Sequence, residues 1–263
     1  MTAEIVERIR RSSRYRDVDM ALVRRLADEE LPRARNADDA VKRVKRRLHQ
    51  VVGAFRGAAR TTAPAEAWTA GLTDSALRAA CLAAMRRHAS TAERIDHLGR
   101  FYAGIWEHTG VPRRLLDLGC GLNPLALPWM GIGDSTYLAC DVDERPLASV
   151  RTFLTGVGQP HAVRVIDLVA EVPHEAADVA LLLKLVTTLD RQDAEAAMRL
   201  IRGIKARHAV VSFASRSLGG RGGGRAGTYR RRLERLADGA GRVSAVAEAS
   251  VSNELVFVLT LDG

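Results

Sequence analysis

Through residues 1–110 apolar positions recur every three or four places, the spacing of a single buried stripe on a helix. The pattern predicts helices over Ala3–Arg11, Val18–Glu30 and Ala37–Val52, with Asp17 and Asn36 placed as N-caps. In the third helix Val41, Val44, Leu48 and Val51 form the stripe, while Lys42, Arg43, Lys45, Arg46 and Arg47 fill the other faces. The stretch GAFRGAARTTAPAEA, rich in Gly, Ala and Pro, reads as a loop or hinge between two helical subdomains. Helices resume over Asp74–His88 and Thr91–His108.

From Arg113 the period shortens. The runs LLDL, STYLACD, AVRVIDL, ADVALLLKL and HAVVSFA alternate with helical spacing at Glu144–Leu154 and Arg191–Arg207. Strands alternating with helices imply a parallel sheet with right-handed crossovers. Arg242–Ser250 and Asn253–Leu261 read as an antiparallel hairpin that closes it. The expected fold is α/β, a doubly wound sheet with an all-helical N-terminal extension, divided into residues 1–110 and 111–263. The tract GGRGGGRAG at 219–227 reads as a glycine-rich loop after the fifth strand.

Composition narrows the class. A chain of 263 residues that is 47% hydrophobic can bury a large core, which excludes a wholly disordered or fibrous protein. Forty basic residues against 31 acidic give +9, a balance that favours polyanionic partners. Composition bias accounts for part of it, since only four of the basic residues are Lys. Its distribution says more. Residues 1–60 carry 16 basic and nine acidic side chains, residues 201–235 carry ten and one, and the remainder is net −7. Three cysteines without a CxxC pair suggest neither a disulfide framework nor a metal site. The start MTAEIVERIRR lacks a signal-peptide apolar region and VALLLKLVTTL is too short to span a bilayer, so a cytoplasmic protein without a membrane anchor is expected.

LLDLGCGLNP carries the candidate chemistry. A buried strand ends near Asp117, and Gly119 and Gly121 let the backbone approach a ligand at the carboxyl edge of the sheet. Pro124 stands where the dinucleotide fingerprint has its third glycine, which argues against NAD. The next strands end in ACDVD and IDL: Asp141 suits ribose hydroxyls, and Asp167 with Leu168 suits an adenine. Three acidic strand ends and a Gly-x-Gly turn fit S-adenosylmethionine, which has no phosphate and is cationic at sulfur. Each Asp taken alone is equally a turn or cap residue.

These residues resemble the class I methyltransferases. DLGCGLNPLALPWMG, LLLK, HASTAER at 88–94 and SFASRSLGGRGGG are similar to the aminoglycoside-resistance 16S rRNA (guanine(1405)-N(7))-methyltransferases. The resemblance covers nearly the whole chain, with Gly119 standing where many members carry Ala and a shortened linker after Phe55. It implies that Arg94 grips the methionine carboxylate of S-adenosylmethionine. It places His88, Ala89, Ser90 and Phe55 over the cofactor and Gly119 against its methionine moiety. Asp141 then holds the ribose, Asp167 and Leu168 the adenine, with Leu183 and Gln192 completing the pocket. Read without the resemblance, Arg94 is a surface ion-pair residue and His88 a helix cap.

The implied target is 16S rRNA in the 30S subunit, met by a monomer through Lys42, Arg43, Lys45, Arg46, Arg47, Arg216, Arg221 and Arg225. Lys184, at the end of an apolar strand, would reach an RNA phosphate or the carbonyl oxygen of a flipped guanine, or else extend to water. Guanine N7 carries no proton, so methylation there needs alignment and no general base; no acid–base set stands out in the sequence. Two other readings remain at this point: an adenine-N(1) methyltransferase of the same rRNA site, and a non-catalytic RNA-binding protein.

Overall fold

The computed structural model describes residues 1–53, 73–214, 223–249 and 254–263. The hinge stretch after Gly53 and the first four residues of the glycine-rich tract lie outside these residues, as do Phe55, Arg216 and Arg221, and the side chains of Ala89, Ser90 and Arg225.

Three N-terminal helices, α1 (Thr2–Arg10), α2 (Met20–Glu30) and α3 (Ala37–Leu48), bury their apolar stripes against one another. Ile5 and Ile9 meet Leu22, Val23, Leu26, Val41, Val44 and Leu48 in a core of their own. Asn36 caps α3 by accepting the Asp39 N–H at 2.9 Å, as expected, and Asp38 and Asp39 in the first turn oppose Lys45, Arg46 and Arg47 in the last, complementing the helix dipole. Two details differ from the sequence reading. The α2 cap is Asp19, which accepts from Ala21, because Val18 is drawn into an extended bridge with Asp143 and the helix starts only beyond it. The third helix stops at Leu48, and a π-helical turn, His49–Gly53, carries Val51 and Val52 onward.

A seven-stranded sheet follows: β1 (Arg114–Leu118), β2 (Thr136–Asp141), β3 (His161–Val165), β4 (Ala176–Leu183), β5 (Lys205–Ala214), β6 (Val243–Ala249) and β7 (Glu254–Leu261). Its order is β3-β2-β1-β4-β5-β7-β6, parallel from β3 to β5, with β7 antiparallel to both its neighbours. The strand order reverses beside β1, so its carboxyl end opens onto the crevice where doubly wound sheets bind ligands. This is the predicted architecture, hairpin included.

Helices cover both faces. On one lie α4 (Asp74–Met85), α6 (Leu98–Thr109), the short α7 (Leu127–Met130) and α8 (Glu144–Gly156). On the other lie α9 (Val186–Asp190), α10 (Ala196–Gly203) and α11 (Gly223–Ala240). The cores therefore divide at a different point from residue 110. Met85, Phe101, Tyr102 and Ile105 pack into one core with Leu115, Tyr137 and Val179, so α4 and α6 are a layer of the sheet domain. Among the described residues, those up to Val52 form a core apart from the two that flank the sheet.

That unit docks on the carboxyl edge of the sheet. Asp19 N–H donates to the Val142 carbonyl (2.8 Å), Glu144 N–H donates to the Asp17 carbonyl (2.9 Å), and Arg145 pairs with Asp17 at 2.5 Å.

Candidate active site

A cleft of about 770 Å³ of atom-free space opens where β1, β2 and β4 end, lined among others by Gly119, Gly121, Asp141, Asp167, Leu168, Leu183, Gln192 and His88. Seven of these are sequence candidates; Gly121 was read only as a turn glycine. Gly119 and Gly121 adopt positive φ, +63° and +51°, which places the turn in the left-handed region. A Cβ on Gly121 would lie 2.9 Å from His88 Cε1, so the bare glycine is what lets the imidazole close over the turn. At Gly119 a Cβ would meet Leu185 Cδ1 at 2.8 Å; Leu185 fills the space that the alanine expected there would use.

Asp141 ends β2 and is braced by two backbone donors, Gly121 N–H (2.8 Å) and Asp143 N–H (3.0 Å). Burial pushes its carboxyl up to about 6, even though those N–H groups favour the charged form. A carboxylate has more acceptor sites than these two donors fill, so Asp141 can accept further hydrogen bonds. Burial, with the nearby Lys184 cation, lowers His88 to about 4, so the cleft wall is a neutral imidazole at neutral pH.

Asp117, the first of the three acidic positions, is not in the cleft wall. It lies beneath the turn, 1% exposed, accepting from Tyr137 hydroxyl (2.6 Å) and Asn123 amide (2.9 Å). Asn123 in turn accepts from Tyr102 hydroxyl (2.8 Å) and Arg94 Nη1 (3.0 Å). Asn123 of the NPLALPW run thus ties α6 to β1 and fixes the floor of the turn.

Arg94 is occupied by a partner the sequence did not suggest. Its Nε and Nη2 donate to the two Glu254 carboxylate oxygens at 2.5 and 3.0 Å, its guanidinium carbon stands 4.8 Å from the Phe101 ring centre, and it is 3% exposed. It is buried behind the cleft and is not a surface ion-pair residue. The two-pronged grip expected for a ligand carboxylate is made on a protein carboxylate. Burial would raise Glu254, but Arg94 and Lys184 outweigh it and hold the carboxyl below its usual range.

Lys184, expected to reach RNA or extend to water, is held by two carboxylates of the protein. Its ammonium lies 2.5 Å from Glu93 and 3.3 Å from Glu254. It is the one non-glycine residue with positive φ (59°) among those described, held by N–H donation to the Ser212 carbonyl and hydroxyl at 3.1 Å each. A left-handed lysine at a strand's carboxyl end on the cleft wall is strained backbone at the place where ligands bind.

The basic candidates of α3 divide. Arg47 bridges Glu29 and Glu30 at 3.1 and 2.9 Å, and Arg43 pairs with Glu30 at 3.3 Å and Asp39 at 3.4 Å. These two brace α3 against α2. Lys42 and Arg46 are exposed and Lys45 is half-buried.

A residue that bonds to two side chains of the cleft wall was missed. Arg25 of α2 forks Asp167 with Nε to Oδ2 at 2.7 Å and Nη2 to Oδ1 at 3.2 Å, and Nη2 also donates to Gln192 Oε1 at 2.8 Å. Its Nη1 donates to Glu29 at 2.9 Å. Sequence spacing gave no signal for it, because the partners lie 142 and 167 residues away.

Comparison with known proteins matches this geometry. Residues 11–258 fit the family model described as ribosomal RNA methyltransferase (FmrO). A 16S rRNA (guanine(1405)-N(7))-methyltransferase of Micromonospora echinospora is 40% identical over 97% of this chain and 95% of its own length. One of Micromonospora rosea is 38% identical over the same shares. Among solved structures, the 16S rRNA methyltransferase RmtF in complex with S-adenosyl-L-homocysteine is 31% identical, covering 99% of this chain and 98% of its own, with a TM-score of 0.83.

Proposed function

Because the chain belongs to the ribosomal RNA methyltransferase (FmrO) family, we propose that it is a 16S rRNA (guanine(1405)-N(7))-methyltransferase. It moves a methyl group from S-adenosylmethionine to guanine N7 and thereby confers aminoglycoside resistance. The observation that carries this reading is the cleft at the carboxyl ends of β1, β2 and β4, with its glycine turn and braced Asp141, in a chain that matches these enzymes over nearly its full length.

The residues fit the cofactor. Asp141 offers acceptors to the ribose hydroxyls. Asp167, Leu168 and Gln192, which line the cleft, are assigned to the adenine, and Leu183 with Gly119, also in its wall, to the methionine moiety. His88 covers the turn, with Ala89, Ser90 and Phe55 assigned beside it. Arg94 is assigned the methionine carboxylate, which requires the Glu254 carboxylate to yield part of its grip.

S-adenosylmethionine supplies an activated methyl on a sulfonium. The chain's task is to hold the target base in line with it. The N7 lone pair forms the new C–N bond as the C–S bond breaks, and no proton moves. The guanine becomes cationic as the sulfonium becomes a neutral thioether. Lys184 is assigned to the flipped base or its phosphate, released from those carboxylates on binding.

Lys42, Lys45 and Arg46 supply phosphate contacts from the N-terminal unit, and Arg216, Arg221 and Arg225 supply them from the basic stretch at 201–235. Arg43 and Arg47 support them as braces. The substrate is the 30S subunit, met in the cytoplasm. The chain is assigned to work as a monomer. It comprises a helical rRNA-binding unit and a methyltransferase domain, with the packing boundary after residue 52.

The test is incubation of the protein with S-adenosylmethionine and 30S subunits, followed by borohydride–aniline cleavage of the rRNA. Scission at guanine 1405 is expected. Methyl incorporation without scission there moves the target to another base, adenine N1 included.

A further inference from the structure

A charged side chain of the helical N-terminal unit reaches the wall of the cofactor cleft, which Val51 and Val52 of the same unit line. Arg25 comes from α2, whose core is separate from that of the sheet, yet its guanidinium ends on Asp167 and Gln192, the two polar groups at the end of the cleft assigned to adenine. Both Asp167 oxygens accept from it; Oδ1 also accepts Val169 N–H at 3.1 Å. Asp167 is 4% exposed, and a carboxylate buried to that degree is costly unless paired. The fork answers that cost and fixes the carboxylate plane at the same time. The third contact sets the Gln192 amide: with its Oε1 accepting from Arg25, its NH₂ is the group left to face the cleft or the Thr188 carbonyl at 3.4 Å.

We propose that Arg25 is a positioning residue for the adenine end of the cofactor site, acting through Asp167 and Gln192, so that the N-terminal unit builds part of the cofactor pocket as well as gripping RNA. The inference rests on the S-adenosylmethionine reading above. Charge alone does not explain the arrangement, because a lysine could neutralise Asp167 but could not fork both its oxygens and reach Gln192 as well. The site is also wired to α3: Glu29 accepts from Arg25 at 2.9 Å and from Arg47 at 3.1 Å. A displacement of α3 against α2 is therefore felt at Asp167.

The test uses the full chain and calorimetric titration with S-adenosylhomocysteine and, separately, adenosine. Arg25→Gln is expected to weaken both ligands by the same factor, at least about tenfold, since both carry the adenine and removing one partner of a buried charged pair has at least that effect. Arg25→Lys is expected to lose less but not to match the parent. Arg25→Gln with Asp167→Asn is expected to bind little worse than Asp167→Asn alone, because Arg25 acts mainly through that carboxylate. A purely structural role would lower Tm in Arg25→Gln without that non-additivity in ligand affinity.

Unchanged S-adenosylhomocysteine affinity in Arg25→Gln overturns the proposal, as does a loss confined to S-adenosylhomocysteine with adenosine unaffected. Should Arg25→Gln fail to fold, parent-like affinity in Arg25→Lys overturns it. Failure of the parent chain to bind S-adenosylhomocysteine at all would instead sink the cofactor reading.

Discussion

Asp141 has a consequence that can be read in pH. Burial holds its carboxyl at about 6 against an ordinary 3.8. Above that value it is a carboxylate able to accept from both ribose hydroxyls; below it a proton occupies one acceptor. Affinity for S-adenosylhomocysteine is therefore expected to fall by about tenfold per unit as pH drops below 6, and Asp141→Asn to bind weakly with a flat profile. His88 stays neutral throughout this range, since it lies near 4. Asp117 titrates near the same pH but lies under the turn, so an undiminished slope in Asp141→Asn would move the effect there. Glu254 makes the opposite case. Its carboxyl is held low by Arg94 and Lys184, so its stabilisation is complete above the ordinary glutamate value and is lost as pH falls through the depressed one. Glu254→Gln leaves two buried cations sharing a neutral amide. It is expected to cost about 3 kcal/mol, at the low end for one member of a buried pair, or about 6–12 °C in Tm by calorimetry. Convergence of the two proteins in acid follows from the same sign; an equal Tm at neutral pH would remove Glu254 from the account.

At the scale of elements, α3 shows what periodicity reveals and what it hides. Its stripe, cap and charged faces are legible in sequence because each depends on neighbours within a turn or two. The division of its five basic residues is not, because Glu29 and Glu30 reach Arg43 and Arg47 from another helix. Replacing Lys42 and Arg46 by Gln is expected to weaken 30S binding and leave S-adenosylhomocysteine affinity unchanged. Replacing Arg47 by Ala is expected to lower stability by about 1–3 kcal/mol, the worth of hydrogen bonds between charged groups, as read by urea unfolding. If the exposed pair also destabilises the chain, its face is structural. The same limit explains the other differences. Asp17 looked like a cap because it precedes an apolar run, but Val18 pairs with Asp143 across 125 positions of chain and delays the helix. The glycines that open α11 masked a helix whose Leu233, Leu236 and Ala240 were spaced correctly. The cleft was readable through Gly119, Asp141 and Asp167, since the strand ends carry them, and Gln192 through the family resemblance alone. Arg25 and Glu254 were not, since each takes part only through folding.

For the molecule as a whole, net charge and its location separate the two binding events. The +9 total divides into a strongly basic start, a strongly basic stretch at 201–235 and a body that is net −7. The cofactor cleft lies in that body, walled by Asp141, Asp143 and Asp167 and the paired Lys184. A ligand without phosphate entering such a cleft displaces few counterions, whereas an RNA backbone laid on Lys42, Lys45 and Arg46 displaces one for each phosphate neutralised. Affinity for 30S subunits is thus expected to fall linearly on a log–log plot against salt, while S-adenosylhomocysteine affinity stays nearly level. Lys42→Gln with Arg46→Gln should lower the 30S slope by about two, one for each lost phosphate contact. Arg47→Ala removes as much formal charge per residue as either, but its charge is already spent on Glu29 and Glu30, so its slope should match the parent's. Binding to 30S subunits measured between 50 and 300 mM KCl decides this: equal slopes for the parent and the Lys42/Arg46 variant would place the phosphate grip elsewhere. A reduced slope for Arg47→Ala would mean that RNA breaks the ion pairs that brace α3.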